Sequence, residues 1–246
     1  MAEVPGPVTY TILPIPTTSP RLSNLVAKFR DTKLAALEAE PTGFAVKHAE
    51  EVLHPISLWQ QRLAAPSTAL ICVSTSNPPG PSDSDEDMLM KEDWVGMATL
   101  RGSLPYSTFH LPESGQPIPD DPDRETRWHL CNLYTSQAHR GRGLAKKLVN
   151  AILASARGQT RRLEGGQGMK ARVRLFCDPS KTFLVNMYKG MGFEDAGMCT
   201  LREAFVANGD EELIPADTGS TEAMWKWERR YGLAMERVVD AGTEAD

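Results

Sequence analysis

The sequence predicts a mixed α/β chain of the α+β kind, with a long central sheet and helices on both of its sides. Three observations carry that expectation. Runs of apolar and β-branched residues alternate along the chain with runs whose apolar residues recur at helical spacing. Trp128 to Tyr134 is apolar and aromatic enough for a core strand. It is followed by the turn Arg140-Gly141-Arg142-Gly143 and then by Ala145, Leu148, Val149, Ile152 and Ala156 at helical spacing. Finally, 41% hydrophobic and 24% charged residues among 246 describe a globular chain able to bury a sizeable core.

Taken in order, Val8 to Leu13 alternates as a first strand, ended by Pro14 and Pro16. Ser19-Pro20 offers a cap and a proline at a helix start. Leu22, Leu25, Val26, Phe29, Ala36 and Leu37 then form a helical face. Ile56 to Ala64 predicts another helix, and Thr68 to Thr75 a strand. Residues 77–93 contain prolines, serines and the acids Asp83, Asp85, Glu86 and Asp87, and read as an acidic, mobile hairpin loop. Trp94 to Leu104 and Thr126 to Ser136 are expected strands, separated by a Pro/Asp-rich loop over 105–125. Residues 158–170 read as a Gly/Arg-rich insertion before the strand Ala171 to Cys177. Gly197 to Phe205 and Thr221 to Glu228 are expected to close a hairpin, with Ala223, Trp225 and Trp227 on one face. Residues 240–246 are expected to fray. With no repeat and no shift of composition, 1–246 reads as a single domain.

With a net charge of −5 the field of the whole chain does not favour nucleic acid, and no nucleic-acid partner is expected. The cations concentrate instead at His139, Arg140, Arg142, Lys146 and Lys147, then at Arg157, Arg161 and Arg162. A local basic patch on an acidic chain suits a small polyphosphate. Cys72, Cys131, Cys177 and Cys199 are widely spaced, show no metal-ligand spacing, and read as small buried residues. No apolar run approaches the ~20 residues of a membrane span, and no signal peptide is evident, so an intracellular, cytoplasmic or nuclear location is expected.

The turn at 140–143 carries the chemistry. A strand, a glycine-rich turn and a helix start aim backbone N–H groups and cations at one spot, where the helix N-terminus already favours negative charge. Arg-Gly-Arg-Gly alone is compatible with a basic surface turn; the flanking strand and helix make it a pyrophosphate site. A P-loop is excluded because Gly143 precedes Leu144, and Gly168-Met169-Lys170-Ala171 lacks the hydroxyl. A dinucleotide fingerprint is excluded because Lys146 stands where a third glycine or alanine belongs.

Arg140, Gly143 and Ala145 match the Arg/Gln-x-x-Gly-x-Gly/Ala signature of the GCN5-related N-acetyltransferases (GNAT), and Tyr188-Lys189-Gly190-Met191-Gly192-Phe193 resembles that family's Tyr-x-x-x-Gly-Phe element. A weaker echo lies at Arg30, Leu37, Pro41 and Phe44, with Trp59, Arg62 and Leu63. The resemblance runs from about Val8 to Trp227. It implies a mostly antiparallel sheet splayed between the strands ending at Ser136 and Cys177, with acetyl-CoA as co-substrate in that V and no metal. It further implies cofactor contacts from Leu133, Tyr134, Thr135, Arg140, Gly141, Arg142, Gly143, Leu144 and Ala145. Lys181 stands where the family often has Asn, at the start of the helix bearing the tyrosine, so a phosphate contact survives and an amide contact is in doubt.

Acetyl transfer to an amine needs a neutral nucleophile, a polarised thioester carbonyl and a proton for the leaving thiolate. An alkyl amine of pKa ~10.4 is mostly protonated at neutral pH, so a base or an acidic or desolvated pocket helps. Tyr188 matches the family's tyrosine that protonates the thiolate; its rival reading is a packed core tyrosine. The base is not legible: His129 and Asn132 precede the turn, and Glu203 and Glu222 lie on the expected closing strands. The acceptor is a small-molecule or peptide amine, and the resemblance is compatible with a homodimer. The alternative is a degenerate CoA-binding module that scaffolds without catalysis. A phosphotransferase ranks last, lacking a lysine-hydroxyl pair and a Mg²⁺ carboxylate set.

Overall fold

The structure is a computed structural model and describes residues 8–64, 67–76, 83–163 and 168–242. In chain order come β1 (Thr9–Pro14), α1 (Leu22–Ala39), α2 (His48–Glu51), α3 (Ile56–Leu63), β2 (Thr68–Thr75), α4 (Asp85–Lys91) and β3 (Asp93–Gly102). Next are α5 (Tyr106–Phe109), β4 (Glu125–Thr135), α6 (Leu144–Arg162), β5 (Lys170–Cys177), α7 (Thr182–Lys189) and β6 (Glu194–Thr200). The chain continues through α8 (Leu201–Ala207), α9 (Thr221–Met224) and a π-helical turn (Trp225–Arg229) to β7 (Tyr231–Asp240). Seven strands form one sheet in the order β1-β2-β3-β4-β5-β7-β6. β4 and β5 run parallel, whereas β1/β2, β5/β7 and β6/β7 are antiparallel. This is the mixed, mostly antiparallel α/β class expected.

The chain groups into two compact units, Met1–Thr99 with Asn132–Ile152, and Leu100–Cys131 with Leu153–Asp246. In the first, Ala69, Ile71 and Val73 of β2 alternate into a core with Leu25, Val26 and Phe29 of α1, Trp59 and Leu63 of α3, and Leu89 of α4. Cys72 points to the other face. There Gly96 of β3 lies so close to Leu148 of α6 and to the Tyr134 carbonyl that a Cβ would stand 3.1 Å from each. Only glycine admits that approach without displacing backbone.

The acidic segment departs from the expected loop. Residues 77–82 lie outside the described residues, but Asp85–Lys91 is a helix. Ser84 caps it, its Oγ accepting from the Asp87 amide at 3.1 Å while the Asp87 carboxylate reaches back to the Ser84 amide. The acids read as a solvated run therefore complement the positive end of a helix. Met88 and Leu89 are buried beneath it. Leu89→Ala is accordingly expected to cost about 2–5 kcal/mol, as buried leucine truncations do, read as a shifted midpoint in urea.

Three further segments depart from expectation in the second unit. The 105–125 loop holds α5 and buries Phe109 and Gln116. The Gly/Arg insertion is shortened from its front, because α6 continues to Arg162; residues 164–167 lie outside the described residues. The closing hairpin is not built from 197–205 and 221–228. β6 gives way to α8 at Leu201, and the closing strand is β7, which pairs with β5 from Lys170↔Asp240 to Cys177↔Leu233. Trp225 is exposed and Trp227 buried, because both lie on a helical turn rather than on one face of a strand. At the C-terminus Asp240 closes β7 and Ala241 is buried; residues 243–246 lie outside the described residues. None of the four cysteines is in a disulfide, and each lies in a strand.

Arg172 of β5 ties this unit together. Its guanidinium meets both Glu125 oxygens at 2.6 and 2.8 Å and Glu236 at 2.8 Å, and Glu236 also accepts from Gln116. One charged residue from each of β4, β5 and β7 thus forms a largely buried network whose members are paired.

Candidate active site

The first unit holds the glycine-rich turn. After β4 the chain makes a short 3₁₀ turn (Gln137–His139), then Arg140 to Gly143, and enters α6 at Leu144. Gly141 and Gly143 take φ of 76° and 74°, the left-handed region where side chains are strained, and nothing lies within 4 Å of where their Cβ atoms would be. The turn is therefore shaped by its glycines and open in front of them. The first intrahelical bond runs from the Lys147 amide to the Gly143 carbonyl at 3.1 Å. The amides of Leu144, Ala145 and Lys146 belong to the first turn, where a helix leaves its donors without helical partners. Leu144 is buried and anchors the start of α6, while Gly141 to Gly143 are exposed.

Side chains from distant parts of this unit hold the cations. Arg142 Nη1 donates to the Tyr10 hydroxyl of β1 at 2.6 Å, and that oxygen lies 3.0 Å from His139 Nδ1. With the arginine donating, the hydroxyl proton is left for His139. Arg140 Nε donates to the Thr135 carbonyl at 3.2 Å, and Nη2 to Glu40 Oε1 at 2.7 Å. Tyr10 and Glu40 were invisible in the sequence, since they stand 132 and 100 residues from the arginines they meet.

Leu133, Tyr134 and Thr135 form the end of β4, just after Asn132, which has φ 55°. A left-handed residue inside a strand bends it, as a bulge does. Asparagine tolerates this conformation better than most residues. Here its side chain is also tied, accepting from Lys33 Nζ at 2.8 Å and donating to Thr99 Oγ1 at 3.3 Å. Lys33, itself buried, also lies 3.7 Å from the centre of the Phe44 ring.

In the second unit the parallel register of β4 and β5 runs from Glu125↔Lys170 to His129↔Arg174, while β5 stays paired with β7 as far as Cys177. The two parallel strands stop pairing before either ends. Lys181 occupies the N-cap position of α7. Tyr188, near the end of that helix, is buried with its ring edge-on to Phe193, centroids 5.7 Å apart. Burial first, and the nearby Cys177 second, push its hydroxyl well above the usual tyrosine range. Such a group holds its proton and can serve as a donor, not as a base.

The other candidates divide. Glu203 is spent on the α8 cap, accepting from the Thr200 amide at 2.6 Å and its hydroxyl at 3.0 Å. Glu222 lies on α9. His129 is buried against Phe176, and its Nδ1 has no hydrogen-bond partner. Burial, then Arg174 and Arg101, hold it well below its ordinary value near 6.5, so it is neutral in the folded chain. The unfolded chain takes up this proton and the folded chain does not. The contribution is therefore complete above pH ~6.5 and is lost as pH falls, by about 1.4 kcal/mol per pH unit. Urea titrations at pH 7 and pH 5.5 should show a smaller acid loss for His129→Gln than for wild type.

Beside His129, Arg174 is fully buried. Its guanidinium donates to the carbonyls of Phe109 and Ala207 and to Asn208 Oδ1, binding α5 and α8 to β5. Burial lowers its pKa to about 10, still cationic at neutral pH.

Comparison with known proteins adds to this geometry. Residues 83–193 match the profile of the Acetyltransferase (GNAT) family. N-acetyltransferase 8F1 of Mus musculus is 33% identical over 117 residues, which is 44% of this chain and 49% of that protein. The chain thus spans about half the length of the curated relative it matches. Arabidopsis thaliana NAA60, solved in complex with acetyl-CoA, aligns over 94% of this chain and 99% of its own, at 14% identity and a TM-score of 0.53. An acetyltransferase of the GNAT family from Streptococcus pneumoniae aligns over 94% of this chain and 100% of its own, at 10% identity and a TM-score of 0.54. These two share the fold. Among the described residues no helix is long and apolar enough to cross a membrane.

Proposed function

We propose that the protein is an acetyl-CoA-dependent N-acetyltransferase acting on a primary amine, a reading supported by the match of residues 83–193 to the profile of the Acetyltransferase (GNAT) family. The acceptor is a small molecule or a peptide, attacked directly in a ternary complex. The observation that carries this reading is the open turn at Gly141 and Gly143, flanked by two arginines and running into the first turn of α6. Those amides and guanidinium groups are donors and cations suited to a diphosphate.

Acetyl-CoA, as co-substrate, supplies an activated acyl thioester. Arg140 to Ala145 bind its diphosphate, with Leu133 to Thr135 alongside its chain and Lys181 reaching a phosphate. The acceptor nitrogen forms the new C–N bond as the C–S bond breaks. The amine proton passes to solvent, and the thiolate takes a proton from Tyr188. The hydroxyl of Tyr188, like that of any tyrosine, is protonated at neutral pH and so is available as a donor, although its burial makes it a weaker acid than an exposed tyrosine. His129 is buried and is not assigned as base.

The test is a thermal-shift screen with CoA and acetyl-CoA, followed by a free-thiol assay across a panel of polyamines, small amines and peptides. CoA release that depends on an amine supports the reading. CoA binding with no release for any amine would instead favour a non-catalytic CoA-binding module. Binding of ATP or NAD with none of CoA would remove both.

A further inference from the structure

The two arginines of the glycine-rich turn are held by chemically different partners. Arg142 is held by a neutral hydroxyl, Tyr10, which carries no charge to oppose an incoming anion. Arg140 is held by a carboxylate. Its pair with Glu40 measures 2.7 Å, with the two side chains 44% and 29% exposed, so solvent and ions reach it.

Glu40 is also poorly placed apart from that arginine. It caps the C-terminal end of α1, its amide donating to the Ala36 carbonyl at 3.0 Å. The carboxylate therefore stands at the negative end of an 18-residue helix, where anions are disfavoured. The pair with Arg140 compensates this.

On the reading that this turn binds the CoA diphosphate, we propose that Glu40 is a resident counter-ion on Arg140 which the diphosphate displaces. Glu40 then sets cofactor affinity by competition. It also links occupancy of the turn to the segment that follows α1. The Glu40 carbonyl accepts from the Gly43 amide at 2.8 Å. The next residue, Phe44, lies against Tyr134 with ring centroids 6.3 Å apart and beneath Lys33, which holds Asn132 at the bend of β4. The Glu40–Arg140 pair thus ties the turn to a segment that covers the strand leading into it.

Competition predicts a gain on mutation. By isothermal titration at low ionic strength, Glu40→Gln is expected to bind CoA about 3–10-fold more tightly than wild type, since the amide keeps size and polarity but not charge. The gain should shrink at high salt, where the exposed pair is screened. In an Arg140→Met background the same change should gain little, because the group competed for is gone. Hydrogen exchange of the Gly43 amide should quicken when CoA is added to wild type. CoA affinity unchanged or weakened in Glu40→Gln overturns the counter-ion role and leaves the cofactor reading intact. No CoA binding by wild type or by Glu40→Gln overturns both.

Discussion

Gly143→Asp is expected to remove CoA binding, with affinity falling by 100-fold or more in titration calorimetry. The structure separates two causes. At φ 74° any side chain is strained by roughly 1–2 kcal/mol, and the turn relaxes by moving its own amides. Crowding by neighbours contributes nothing, because a Cβ here meets no atom within 4 Å. The space it enters is the space a diphosphate would fill, and the new carboxylate puts negative charge beside Arg140 and Arg142. Gly143→Ala isolates the strain and should weaken binding by about 10-fold or less, since ~1.4 kcal/mol is one factor of ten. Equal affinity for CoA in wild type and Gly143→Asp would remove the turn from the cofactor site.

Tyr188→Phe is expected to lower kcat by roughly 10²-fold or more, the usual scale for a positioned acid. The ring stays against Phe193 and only the hydroxyl is lost, so stability and the affinity for acetyl-CoA should change little. Burial raises the pKa of this hydroxyl, so it carries its proton at neutral pH. The loss should shrink with an acyl donor whose thiol is more acidic, because that leaving group needs less help. An unimpaired kcat, or an equal loss for every leaving group, would make Tyr188 a packing residue.

What was legible in the sequence was local and periodic. β2 could be placed to the residue because Thr68 to Thr75 is β-branched or apolar at every position but Ser74, and α6 could be placed because its apolar residues repeat at helical spacing. Two of the helices that were missed carried their own signals. Ser84 with Asp87, and Thr200 with Glu203, are capping boxes. In the first the density of acids read as solvation, and in the second the expectation of a closing strand prevailed over the cap. The candidate site divides in the same way. Glycines, arginines and the helix start lie within six residues and could be read, whereas their holders Tyr10 and Glu40 come from β1 and from the end of α1. No local pattern encodes a contact made only after the chain has folded back by a hundred residues or more.

Arg174 reaches its partners chiefly through carbonyl oxygens, those of Phe109 and Ala207, with Asn208 as the single side-chain acceptor. A carbonyl is supplied by every amino acid. Apart from Asn208 and from Phe109, whose ring centre lies 3.9 Å from the guanidinium, the two excursions that follow β3 and β6 are therefore fastened by what their side chains do not determine. Their composition can drift over generations while the fastening endures, provided the backbone keeps its path past one buried guanidinium. Descendants of this chain can in that way acquire new surfaces over the sheet without first having to invent a new means of attachment.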